Sequence, residues 1–146
     1  MRQPVCQDDQ TIEDGERLLR RVPASQIVRD DDTGKARISS GAFCDRELSV
    51  DIEAIFLKTG KRLDDYLLNF PGFRLVCVSA GCVRHHGQAV CRDPLPDNPA
   101  HALVCGSKNN KQVRNGLRDC ADWVVPSEPP DYEVIERETL SNKSNL

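Results

Sequence analysis

The segment that most constrains the fold runs from Asp93 to Gly106 and has the sequence DPLPDNPAHALVCG. Pro94, Pro96 and Pro99 remove three backbone donors and hold three φ angles at about −65°. Each proline also drives the residue before it towards an extended conformation. The segment therefore predicts a stiff, non-helical connection that leads into a short buried strand at residues 101–105.

His101 lies where this connection meets the strand, and its position supports two interpretations. In the first, the imidazole hydrogen-bonds to carbonyl groups of the connection and fixes the turn, because such loops need polar anchors for their buried backbone groups. In the second, His101 is a catalytic or ligand-binding residue at the mouth of a strand, with Asp93 close by in the connection.

Composition limits the class of protein. The chain has 146 residues, which fits one domain with a single core. Its net charge of −3 argues against nucleic-acid binding, and no apolar run approaches the roughly 20 residues of a membrane span. The N-terminal sequence MRQPVCQDDQTIEDGE lacks the apolar core of a signal peptide. These features predict a soluble cytoplasmic protein without a membrane segment.

The chain contains seven cysteines. Because this number is odd and no export signal is visible, we expect reduced thiols rather than a disulfide framework. Cys77 and Cys105 stand where small apolar residues are usual, and a buried thiol behaves as a small hydrophobic group. One alternative makes Cys91 a nucleophile that His85 or His86 activates.

The distribution of charged and apolar residues divides the chain into three regions. Residues 1–16 are acidic and poor in apolar groups, which predicts a flexible arm. Residues 17–126 are expected to form a single α+β domain, with a mostly antiparallel sheet of about five strands and two or three packed helices. Ser49 is predicted to cap one of these helices. Residues 127–146 begin proline-rich and acidic, which predicts a flexible tail.

The first candidate site is a zinc site. Two residues separate Cys82 from His85 and three separate His101 from Cys105, a ligand pairing found in small zinc modules. Thiolate and imidazole ligands at these spacings would close a tetrahedral site. Cys105, however, lies in an apolar strand that suits the core. We therefore expect no bound metal and no cofactor.

The second candidate is a nucleotide pocket. Arg21 precedes a strand predicted at 26–29, and Ser39 and Ser40 end the next strand, an order that resembles the arginine and serine positions of ADP-ribosyltransferases. The resemblance implies that the arginine clamps the phosphates of NAD and that the serine supports the ribose site. The family also carries a glutamate late in the fold, whereas the late Glu133 and Glu136 of this chain fall in the predicted tail.

The third candidate is a basic surface on the helix predicted after Gly106. Its positive residues fall on one arc of that helix, opposite an apolar face: Lys108, Lys111, Arg114 and Arg118. Such an arc contacts phosphate groups or an acidic protein surface. Because the rest of the chain is acidic, we interpret it as a docking face for a protein partner, with an ordinary solvated face as the alternative.

Several short motifs, taken in order, resemble those of a group of uncharacterised small bacterial proteins. The shared patterns are Arg-x-x-Pro, Ser-Ser-x-Ala-Phe and Pro-Ala-His-Ala, and the resemblance covers roughly residues 18–126. Here the patterns fall at Arg20 or Arg21 with Pro23, at Ser39 and Ser40 with Phe43, and at 99–102. The resemblance implies no particular activity, but it directs attention to one polar set: Arg21, Ser39, Ser40, Asp93 and His101.

Together these features favour a small binding or accessory module that acts with a protein partner. The alternative is a small nucleotide-using enzyme or toxin-like effector, with a pocket around Arg21, Ser39, Ser40 and His101. A zinc-stabilised module is the third hypothesis.

Overall fold

A six-stranded antiparallel sheet forms the centre of the structure. The structure, a computed structural model, describes residues 6–144. Its strands are β1 Arg17–Val22, β2 Ile27–Arg29, β3 Ala36–Ile38, β4 Glu47–Ile52, β5 Arg74–Ser79, β6 Ala89–Arg92, β7 His101–Cys105 and β8 Asp122–Val125. Its α-helices are α1 Glu53–Lys58, α2 Ala80–His85, α3 Lys111–Asp119 and α4 Tyr132–Ser144. Short 3₁₀ helices lie at Ala24–Gln26, Ser40–Phe43 and Leu63–Leu67.

The strand order across the sheet is β6-β7-β4-β1-β5-β8, and every neighbouring pair is antiparallel. β2 and β3 form a separate antiparallel hairpin. The predicted α+β class is confirmed, although residues 6–144 contain a sheet of six strands and four α-helices, more than expected of each. None of these four helices has both the length and the apolar character needed to cross a membrane.

The sheet separates two apolar cores. Side chains alternate between the faces of a strand, so Leu18 enters the larger core while Leu19 enters the smaller one. The larger core receives buried residues from α2, α3 and α4: Ala80 and Val83 from α2, Leu117 from α3 and Ile135 from α4. In the smaller core Leu19 packs with Phe56 of α1 and Tyr66 of the last 3₁₀ helix.

The strands β1 and β4 separate soon after they meet. Their ladder has only two residue pairs, the last of which joins Leu19 to Asp51, whereas β1 pairs with β5 over six. Arg20 bridges the gap that follows, since its guanidinium donates to Ser49 O on β4 at 3.0 Å and to Ala42 O at 3.1 Å. An opening is therefore built into the middle of the sheet.

Residues 6–16 pack against the domain and do not form the predicted flexible arm. Ile12 is fully buried in the larger core. Arg84 of α2 donates to Asp8 Oδ1 at 2.9 Å and to Asp14 Oδ1 at 2.7 Å. The acidic residues that suggested a solvated arm are thus partners of a cation on the domain. Residues 1–5 lie outside the described residues.

The predicted flexible tail contains α4. Ile135 on this helix is buried in the larger core, and Glu138 pairs with Arg74 of β5 at 2.6 Å. Just before the helix, Asp131 pairs with Lys35 at 2.7 Å. The region 132–144 is therefore an ordered element of the fold, while residues 145 and 146 lie outside the described residues.

The expectation of reduced cysteines is wrong. Cys6 is bonded to Cys105 and Cys82 to Cys120, with Cα atoms 6.2 Å and 5.9 Å apart, within the usual range for disulfides. The pairs join positions 99 and 38 residues apart, so they depend on the fold and not on local spacing. The remaining cysteines are free: Cys44, Cys77 and Cys91. Disulfides persist mainly in oxidising compartments, and the predicted cytoplasmic location stays a prediction.

The predicted helix cap at Ser49 is also wrong, because Ser49 lies within β4. This strand ends at Ile52, and α1 begins at the next residue, Glu53. Strand and helix join without a loop. The apolar residues before and after the junction therefore have the spacing of a single helix, although only those after it are helical. The true N-cap, Ile52, makes no side-chain capping bond.

Removing the Ile12 side chain tests the packing of residues 6–16. We expect Ile12→Ala to lower the free energy of unfolding by about 2–4 kcal/mol, because it leaves a cavity in a close-packed core. Leu68→Ala is the control, since Leu68 is 73% exposed and should cost less than about 0.5 kcal/mol. Urea unfolding of both variants with disulfides intact makes the comparison. If the two variants lost equally small amounts of the free energy of unfolding, residues 6–16 would contribute nothing to the core.

Candidate functional site

A cavity of about 430 Å³, lined by both polar and apolar side chains, occupies the opening between β1 and β4. Its polar residues come from β1 and β4 on one side and from β7, the last 3₁₀ helix and the proline-rich connection on the other: Arg20, Arg21, Ser49, Asp51, Tyr66, Asn98 and His101. A second cavity of about 530 Å³ shares Arg21, Asp51, Tyr66 and Asn98 with the first. Both lie on the face of the sheet that carries the smaller core.

Strand register explains why these residues meet. Asp51 lies directly opposite Leu19 of β1 and directly opposite His101 of β7. Directly paired residues project from the same face of a sheet, so the three side chains form a row across three strands. Arg21 lies two positions beyond Leu19 and therefore projects from this same face.

Asp51 is the buried acid of the site, with 5% of its surface exposed. The Tyr66 hydroxyl donates to its Oδ2, and the Asn98 side-chain amide donates to its Oδ1 at 2.9 Å. Burial raises the pKa of Tyr66 well above its usual value, and the neighbouring Asp51 charge raises it further. Tyr66 therefore stays a hydrogen-bond donor, and both oxygens of Asp51 are occupied by neutral donors.

Arg21 carries an uncommitted positive charge at the edge of this network. Its guanidinium carbon lies 3.8 Å from the centre of the Phe70 ring and 5.0 Å from the centre of the Tyr66 ring. Such cation–π contacts orient a guanidinium without using its N–H donors. Among the side chains described, at positions 6–140, and the backbone of residues 6–144, Arg21 has no hydrogen bond or salt bridge partner.

Arg20, its neighbour, has a structural role. Two of its nitrogens donate to the carbonyl oxygens of Ala42 and Ser49, as described above, and Asp45 Oδ2 lies 3.8 Å from a third. Burial lowers the pKa of Arg20, while the charge of Asp45 opposes that shift. Arg20 therefore adds positive potential to the cavity while it holds β1 and β4 at their separation.

His101 and Asp93 form a hydrogen-bonded pair at the other side of the cavity. His101 Nδ1 lies 3.0 Å from Asp93 Oδ2 and 3.0 Å from Asp93 O. A proton on Nδ1 satisfies these two oxygens, which leaves Nε2 as the proton acceptor. Both interpretations of His101 thus have a physical basis: the ring anchors the connection through Nδ1 and keeps its other nitrogen available.

Ser39 and Ser40 are not part of the site. Ser39 caps the 3₁₀ helix Ser40–Phe43, where its Oγ accepts from Gly41 N at 3.2 Å. Neither serine lines either of the two cavities. Of the polar set singled out from the sequence, the structure brings together Arg21, Asp93 and His101 and leaves out both serines.

Sequence reasoning missed Asp51, Tyr66 and Asn98. Asp51 carries the one signal that was available, since it is an acid at an inward-facing position between Val50 and Ile52. Its importance depends on the register that sets it opposite His101. That register is a long-range property, and no local pattern reports it.

The predicted basic docking face is not continuous. Lys108 is 3% exposed, and its Nζ donates to Arg46 O, Val104 O and Gly106 O at 3.0, 2.9 and 3.3 Å. It precedes α3 and anchors the end of the β4–β7 pair. The other positive residues differ in their surroundings: Arg114 donates to Lys108 O, Arg118 pairs with Asp119, and Lys111 is exposed.

The predicted zinc set does not assemble. Cys82 and Cys105 belong to different disulfides, His85 is exposed on α2, and His101 lines the cavity. In residues 6–144 the structure instead forms two other clusters, each with its ligand atoms within 4.8 Å of one another: Cys6, Cys91 and Cys105, and Cys82, His86 and Cys120. Cys91 therefore neighbours sulfur atoms and not the imidazoles expected to activate it.

Lys108 provides a test of the anchoring role. Burial lowers its pKa from 10.5 to about 8, so between these values the unfolded chain binds more protons and the folded state becomes more stable as pH rises. We expect Lys108→Met to cost about 1–3 kcal/mol at pH 7, because three carbonyls lose a donor, and to remove that rise. Lys111→Met is the matched control and should leave the stability at pH 7 and its rise with pH unchanged. Denaturant unfolding from pH 7 to 10 measures the effect; identical pH profiles for the two variants would contradict it.

No protein-family model, curated protein or solved structure matches this chain. The resemblance to small bacterial proteins and the resemblance to ADP-ribosyltransferases therefore both stay expectations. The function is inferred from the residues and geometry of the cavity.

Proposed function

We propose that the protein binds a small anionic ligand of the nucleotide type in the cavity between β1 and β4. The observation that carries this proposal is the uncommitted guanidinium of Arg21, stacked on Phe70 and facing a cavity that His101 also lines. This develops the second of the functions predicted from the sequence, with the serines replaced by Asp51, Tyr66 and Asn98.

The charge and shape of the cavity favour an anion with a planar part. Arg21 offers a planar set of donors that suits phosphate or carboxylate oxygens. The one acid within the lining, Asp51, already accepts two hydrogen bonds and is buried. Phe70 and Phe73 supply aromatic surface next to these charges, and a volume of about 430 Å³ falls within the range of small-molecule sites.

His101 gives the cavity a group that can accept a proton. Asp93 orients the ring through Nδ1, and a carboxylate-oriented imidazole is a common general base. The ligand would present a hydroxyl group or a bound water to Nε2. Because Ser39 and Ser40 lie elsewhere, the proposal does not extend to transfer of ADP-ribose.

The accessory function, in which the protein acts with a protein partner, stays a prediction. The basic arc that suggested it is divided by the burial of Lys108 and by the internal hydrogen bonds of Arg114 and Arg118. The cavity therefore supports the stronger proposal.

Ligand titration tests this function. We expect isothermal titration calorimetry to show that ADP and NAD⁺ bind more tightly than adenosine, by roughly tenfold or more, because hydrogen bonds to charged groups contribute about 1.5–3 kcal/mol. Arg21→Gln should remove that preference. Arg62→Gln is the control, since the Arg62 side chain is 79% exposed and lines neither cavity.

Two results would overturn the proposal. One is equal affinity for adenosine and ADP, which would mean that the cavity does not recognise the phosphates. The other is an Arg21→Gln variant that keeps wild-type affinity for ADP, because the anion would then be bound elsewhere. A melting temperature of Arg21→Gln close to that of Arg62→Gln shows that any loss of binding is not a loss of fold.

A further inference from the structure

Cys82, His86 and Cys120 form a compact cluster on the side of the sheet opposite the cavity. Their two sulfur atoms and a ring nitrogen of His86 lie within 4.8 Å of one another. In the structure Cys82 and Cys120 are joined by a disulfide. The helices that carry the cluster contribute Val83 and Leu117 to the larger core, so the proposed function does not involve these residues.

Local structure positions each member of the cluster. Cys82 and His86 are four residues apart, at the start and at the C-cap of α2, so they lie on the same side of one helical turn. Cys120 is the C-cap of α3. Two helices therefore bring together two sulfur atoms and one imidazole, which are metal ligands of soft or borderline character.

Gly116 makes room for the imidazole of His86 against α3. A Cβ atom at position 116 would lie 2.5 Å from His86 Cε1 and 2.6 Å from Nδ1, which is closer than real contacts permit. The ring thus occupies space that only glycine leaves open on this helix. This observation is independent of the sulfur geometry, and it shows that His86 is held beside the disulfide by packing.

We propose that reduction of the Cys82–Cys120 disulfide converts this cluster into a binding site for a thiophilic divalent cation, for which Zn²⁺ is the best match. The ligands are the two thiolates and one nitrogen of His86. Two thiolates and an imidazole suit Zn²⁺, which binds three protein ligands and leaves a fourth position for water or another ligand. No fourth cysteine, histidine or acid joins the cluster within residues 6–144.

A dithiol supplies the two electrons that reduction of this disulfide requires. Its first thiolate attacks one sulfur of the disulfide and expels the other as a protein thiolate, which leaves a mixed disulfide. Its second thiolate then attacks the reductant's own sulfur in that mixed disulfide and frees the remaining protein sulfur. The protein gains two electrons and two protons as thiols, and the dithiol becomes a cyclic disulfide. Binding of the cation then displaces the two thiol protons to solvent.

A tetrahedral ion would need ligand separations no larger than the present size of the cluster. Zn–S bonds of about 2.3 Å and a Zn–N bond of about 2.0 Å place the sulfurs about 3.8 Å apart and each sulfur about 3.5 Å from the nitrogen. These separations lie within the 4.8 Å that already encloses the cluster. Once reduction breaks their bond, the two sulfurs would move apart to this separation by rotation of the cysteine side chains.

Cobalt substitution tests the site, and His85 provides a matched control because it is the exposed neighbour of His86. The Cys91→Ser variant is the background, since Cys6, Cys91 and Cys105 would otherwise form a second thiolate cluster on reduction. The protein, reduced with a phosphine and kept without oxygen, is titrated with Co²⁺. We expect thiolate-to-cobalt charge-transfer and tetrahedral d–d bands that saturate at about one equivalent and disappear when Zn²⁺ is added.

Variants separate this site from adventitious binding. His86→Asn should abolish the saturable tetrahedral spectrum, whereas His85→Asn should retain it. Gly116→Ala keeps all three ligands but displaces the ring of His86, so it should weaken Co²⁺ binding by roughly tenfold, the scale of a lost supporting contact. The oxidised protein should not bind at this site. Equal spectra for His86→Asn and His85→Asn, or no saturable spectrum in the reduced protein, would overturn the proposal.

The proposed site can still be tested if the protein unfolds on reduction. If circular dichroism shows that the reduced protein unfolds, addition of Zn²⁺ should restore the native spectrum of His85→Asn but not of His86→Asn, because metal binding is then coupled to folding. Failure of both variants to refold, or refolding of both, would contradict the site. Nucleotide binding is measured on the oxidised protein and metal binding on the reduced protein. A negative result for one proposal therefore leaves the other unaffected.

Discussion

The buried carboxylate of Asp51 is the interaction on which the cavity depends. A charge removed from water is costly unless it is hydrogen-bonded, and here its two donors come from elements distant in sequence, Tyr66 and Asn98. Tyr66 fixes the last 3₁₀ helix, and the segment that follows brings Phe70 under Arg21. Asn98 fixes the proline-rich connection, which carries Asp93 to His101. One acid thereby sets the positions of groups on both sides of the opening.

The parts of the fold that sequence alone predicted are those that local chemistry determines. The strand His101–Cys105 has the bounds expected from the prolines before it and the glycine after it. The α+β class was expected from the distribution of charged and apolar residues along the chain. His101 was singled out because it stands at the mouth of a strand, and Arg21 and Asp93 were added to the polar set by the resemblance to small bacterial proteins; the structure places all three at one cavity or its edge.

The parts that were not predicted depend on long-range pairing. The acids near the N-terminus have the composition of a solvated arm, and the positions of Arg84 and Arg92 turn three of them into partners of the domain: Asp8, Asp9 and Asp14. Lys108 has the spacing of a surface residue, yet the loop between β7 and α3 turns it inwards onto three carbonyls. An odd number of cysteines is a general guide to redox state, whereas Cys6 and Cys105 pair because β7 passes beside the first described residue.

The bond between Cys6 and Cys105 also changes the topology of the polypeptide. It closes residues 6–105 into a covalent ring that contains β1 to β7 and every residue of the cavity. Tension applied at the two ends of the chain would pass through this bond and not through the strands inside the ring. The second bond, from Cys82 to Cys120, attaches the part of the chain outside the ring to a point within it. Because of the Cys6–Cys105 bond, a single break in the backbone of the ring would leave the pieces joined, and the cavity lies on the portion of the molecule that mechanical load reaches last.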